Sequence, residues 1–64
     1  MNACAIRIRI GAVQSFVSYA RFCGSRCVAF GAGSDAARWD APRAARIAAL
    51  ARRMGYRVTV EAGR

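Results

Sequence analysis

Histidine and lysine are both absent from this 64-residue chain, and only three acidic residues, Asp35, Asp40 and Glu61, are present. Without histidine, a cysteine or serine nucleophile lacks its commonest general base. Three scattered carboxylates make neither a paired acid–base site nor an oxygen cage for a hard cation. The three cysteines, Cys4, Cys23 and Cys27, have no histidine and no second ligand pair to complete a zinc site. The chain is therefore expected to be a non-enzyme, with no catalytic residue, no metal and no cofactor. Long apolar runs are missing too: none approaches the roughly 18–20 residues that span a bilayer. The opening MNACAIRIRI has no basic start followed by an apolar run, so it does not read as a secretion signal. The expected location is the cytosol, without a membrane partner.

What the chain has is positive charge. Eleven arginines against three acids give a formal net charge of +8. Codon supply in a GC-rich genome produces such an arginine bias unaided, so the physical content lies in the charge itself. Guanidinium groups stay protonated and suit bidentate contacts with phosphate or carboxylate. An anionic partner is expected: nucleic acid, a ribonucleoprotein or an acidic protein surface. A chain this short makes one domain, residues 1–64, with a thin core rich in alanine.

Hydrophobic periodicity places the elements. Residues 4–10 alternate, with Cys4, Ile6, Ile8 and Ile10 on one side and Ala5, Arg7 and Arg9 on the other. Residues 13–23 fit either a helix or a strand. Their strand-favouring side chains and the turn chemistry of CGSR favour a hairpin, with strands near 14–23 and 26–31. In that register Phe16, Ala20, Phe22, Val28 and Phe30 enter the core. Val17, Tyr19, Arg21, Cys23, Cys27 and Ala29 take the other face, where Cys23 and Cys27 could approach as a disulfide.

GAGSD at 31–35 is expected to be a loop, since it lacks the spacing and the lysine of a phosphate loop. Trp39 anchors this connection against the core edge. Asp40 and Pro42 open a helix that ends at Met54 before Gly55. Ala44, Ile47, Leu50, Ala51 and Met54 form its buried stripe, with Arg43, Arg46, Arg52 and Arg53 in water. Residues 56–61 form a last strand, with Tyr56, Val58 and Val60 on one side and Arg57, Thr59 and Glu61 on the other.

The expected fold is α+β: a small, mainly antiparallel four-stranded sheet with one helix on one face, in the order β-β-β-α-β. Ile6, Ile8, Ile10, Ile47, Leu50 and Val58 share its core. The uncovered face then gathers Arg7, Arg9, Tyr19, Arg21 and Arg57, which are the expected partner-binding residues. Basic side chains around an aromatic on an open sheet can hold a nucleic-acid backbone and stack bases.

This plan, with the hairpin ARFCGSRCVAFGAG and the alanine-rich helix APRAARIAALARRMG, resembles the small orphan proteins of phages and mobile elements, of which anti-CRISPR proteins are one group. The likeness spans roughly residues 16 to 60 and rests on architecture. It implies a stoichiometric inhibitor that binds a CRISPR-Cas effector, meeting either an acidic protein patch or the bound nucleic acid. The alternative is a stand-alone module that binds DNA or RNA. Homodimerisation is compatible with both.

Overall fold

The computed structural model describes residues 3–62. It contains β1 (Cys4–Ile10), β2 (Val13–Cys23), β3 (Arg26–Gly33), a two-residue β4 (Arg38–Trp39), α1 (Ala41–Arg53) and β5 (Arg57–Ala62). The protein is α+β, an antiparallel sheet with a single helix, and β4 is the one strand absent from the sequence-based plan.

Strand β1 is the centre of the sheet. β5 takes one edge of it along residues 4–9. β2 takes the other edge, but only opposite residues 7–10. Beyond Phe16, β2 leaves β1 and continues with β3 alone, and β4 fills the vacated edge opposite Cys4 and Ala5. The Ala37 amide donates to the Val17 carbonyl at 3.2 Å, which ties the incoming connection to the point of divergence.

Two irregularities in the β2–β3 pairing correct the expected faces. Val17 pairs with Ala32 and Tyr19 with Gly31, leaving Ser18 as an extra residue. Arg21 pairs with Ala29 and Phe22 with Cys27, leaving Val28 extra. Each inserted residue shifts the two-residue alternation by one. Val17 and Cys27, expected on the open face, are therefore buried in the core, while Val28, expected inside, is 51% exposed. Phe16 lies beside Arg7 on the open face rather than in the core. Ala20, Phe22 and Phe30 pack against the core as expected. The same bulge separates Cys23, which is exposed, from Cys27, which is buried, and all three thiols are free.

The helix is closed at both ends by the residues the sequence offers. Asp40 Oδ1 accepts from the Arg43 amide at 2.9 Å, and Pro42 occupies the first turn, where no amide donor is needed. At the other end Gly55 adopts φ +96, a left-handed conformation suited to glycine. Its amide donates to Arg52 O and the Tyr56 amide to Ala51 O, so two terminal carbonyls are satisfied in a Schellman arrangement.

Ala44, Ile47, Ala48 and Ala51 face the sheet and are buried; the small side chains let the helix sit close. The largest fully buried side chains are Ile6, Ile8, Ile47 and Val17, so the core is thin, as the composition implies. Leu50, Val58 and Trp39 border it. Two expected core residues lie outside. Met54 caps the helix and is 57% exposed, and Ile10 closes the β1–β2 hairpin at the end of the sheet and is 42% exposed. Among the described residues, no helix is long and apolar enough to cross a membrane.

Candidate anion-binding face

Cross-strand pairing orders the open face into rows. Directly paired residues point the same way, and alternate residues along a strand share a face. One row runs Arg38, Ala5, Glu61 across β4, β1 and β5. The next runs Phe16, Arg7, Thr59, and the third Gln14, Arg9, Arg57, across β2, β1 and β5.

Arg7 is held by its surroundings. Its guanidinium lies over the Phe16 ring at 5.3 Å and reaches diagonally to Glu61 at 3.0 Å. Its Nε is buried and finds no acceptor among the described residues. Arg7, one of the expected partner-binding residues, thus has its charge matched by Glu61 and its guanidinium over Phe16.

Arg9 and Arg57 are placed differently. They sit directly opposite each other, both exposed, and neither has an acidic partner among the described residues. Like charges in directly opposed positions repel, which disfavours the free protein and is relieved when an anion sits between them. Two adjoining concavities share this pair. One is lined by Arg9, Arg57, Gly11 and Gly55, where the β1–β2 turn meets the helix-to-β5 turn. The other adds Arg7, Gln14 and Thr59. Two guanidiniums, an amide and a hydroxyl thus converge. That set can donate several hydrogen bonds to phosphate oxygens.

Tyr19 and Arg21 also lie on the open face but are not gathered with this group. They belong to the part of β2 that has left β1. Arg21 is seven positions beyond Gln14, a run of about 23 Å along the strand. The Tyr19 ring lies against Gly31, where any side chain would collide with it, and is 59% exposed. The face therefore has a compact arginine pair at one end and an aromatic with a single arginine on an arm.

Gln14 and Thr59 were not among the expected site residues. Alternation did place Thr59 beside Arg57, but Gln14 joins them through the β1–β2 register, which no local pattern reveals.

Two of the three acidic side chains have structural partners. Asp40 caps α1 and lies 3.9 Å from Arg43, and Glu61 pairs with Arg7. Burial pushes the Cys27 thiol up, partly offset by a backbone hydrogen bond at Ala29, so burial favours its neutral form. No family model, no curated protein and no solved structure matches the chain.

Proposed function

We propose that this protein is a non-enzymatic, cytosolic binding module whose open sheet face docks the phosphate backbone of a nucleic acid. The observation that carries this reading is the Arg9–Arg57 pair. Two exposed guanidiniums face each other with no acid to neutralise them among the described residues, beside the donors Gln14 and Thr59. Nothing in the core requires such a pair. Arg21 and Tyr19 on the arm extend the same face and offer a ring on which a base can stack. Arg7 borders the pair, its own charge matched by Glu61.

In its narrower form the partner is a CRISPR-Cas effector, and the protein is a phage-type anti-CRISPR inhibitor that meets the guide RNA or target DNA inside that complex. The same face serves both readings, and one experiment separates them. Fluorescence anisotropy with a single-stranded oligonucleotide alone, repeated across salt concentrations, measures stand-alone binding. For single strands the logarithmic salt slope is about −0.7 per phosphate neutralised, so replacing Arg9 and Arg57 with glutamine should reduce it by about 1.4. Binding only when an effector complex is supplied points to the inhibitor. A slope that is the same with and without the two arginines removes this face from consideration.

A further inference from the structure

A second cationic feature lies on the helix side of the sheet, between α1 and the turn of the β2–β3 hairpin. A groove of about 230 Å³ is lined there by Ser25, Arg26, Arg46 and Arg53, with Cys27, Ala49 and Leu50 making its apolar wall. Neither a carboxylate nor an aromatic ring is among its lining residues. Arg46 and Arg53 are seven residues apart, two helical turns, so their backbone positions lie about 10.5 Å apart along the axis. Ala49 and Leu50 fall between them on the same stripe. The groove therefore runs charged, apolar, charged, and none of its three arginines is ion-paired among the described residues.

We propose that this groove docks an acidic peptide segment of a partner protein, one that carries an aliphatic side chain between carboxylates. Charge complementarity requires an anionic occupant, and the apolar wall selects among anions. A phosphodiester backbone has nothing to bury against Leu50, Ala49 and Cys27. A nucleobase finds no ring to stack on, which is the usual source of its affinity. An aliphatic side chain gains by leaving water there, while its acidic neighbours meet the arginines at either end. The volume is below the roughly 300 Å³ at which small-molecule pockets begin, and suits one side chain rather than a drug-sized ligand. This proposal is independent of the open-face reading, because the groove lies on the other side of the sheet and shares no residue with that site.

The test uses the acetylated pentapeptide DELED and its serine counterpart DESED, titrated into isotopically labelled protein and followed by amide NMR shifts. DELED should move the Cys27, Ala49 and Leu50 signals, and DESED should bind about tenfold more weakly or less. Arg46→Glu should weaken DELED by about tenfold or more. Arg38→Glu removes the same amount of net charge from an exposed position elsewhere and should cost no more than about threefold. Three outcomes overturn the proposal: DESED binding as well as DELED, shifts centred on Arg9 and Arg57, or an oligothymidine moving the groove signals as strongly as the peptide. Should Arg46→Glu fail to fold, the shift map and the peptide comparison on the unaltered protein decide alone.

Discussion

Replacing Arg57 with glutamate should stabilise the fold and weaken nucleic-acid binding in the same molecule. Arg57 stands directly opposite Arg9, with side-chain roots about 5 Å apart for such a pair. Two unit charges about 6 Å apart in water interact by about 0.7 kcal/mol. Reversing one sign converts that repulsion into an attraction of similar size. Side-chain freedom and solvent reduce the net swing to roughly 0.5–1 kcal/mol. In a domain of this size that corresponds to a rise in Tm of about 4–7 °C. Thermal unfolding followed by circular dichroism at low ionic strength measures it, and Arg57→Gln, which only removes the repulsion, should give about half the gain. At 1 M salt the screening length falls to about 3 Å, so most of the difference should vanish. A lower Tm for Arg57→Glu at low salt would refute the electrostatic account, and so would a gain that survives high salt unchanged. A stability gain accompanied by lost binding is what a site retained for function leads one to expect.

Arg7→Ala should destabilise the protein by about 1 kcal/mol in urea unfolding, because it removes both the cover over Phe16 and the Glu61 pair. Asp40→Ala should cost about 1 kcal/mol in the same assay through loss of the helix cap. Ile47→Ala should cost about 2–5 kcal/mol, enough to leave so small a domain largely unfolded by circular dichroism. Alkylation followed by mass spectrometry should label exposed Cys23 first, with buried Cys27 reacting more slowly and no Cys23–Cys27 disulfide forming under mild oxidation. Because the folded Cys27 thiol holds its proton more tightly than an unfolded one, its contribution to stability is present below the ordinary thiol range. It should be lost as pH rises through and above that range, visible as a falling Tm.

Local chemistry by itself determined much of this protein. The alternation of residues 4–10 set which side of β1 enters the core. Asp40, Pro42 and Gly55 set the bounds of α1, since capping and left-handed backbone preferences act within a few residues. The alternation at 57–61 likewise put Arg57 on the side away from the buried isoleucines. Strand register came from the long-range packing of the sheet. Ser18 and Val28 are ordinary strand residues, and nothing adjacent to them marks a bulge. Yet each reverses the faces of its neighbours, exchanging Val17 for Phe16 and Cys27 for Val28 in the core. The divergence of β2 from β1 after Phe16 separated Tyr19 and Arg21 from Arg9 and Arg57. The diagonal reach of Arg7 to Glu61 matched one arginine and left the Arg9–Arg57 pair unmatched among the described residues. Strand pairing joins residues far apart in the chain through backbone groups that every residue carries. The side-chain pattern of one segment therefore cannot specify which partner it meets.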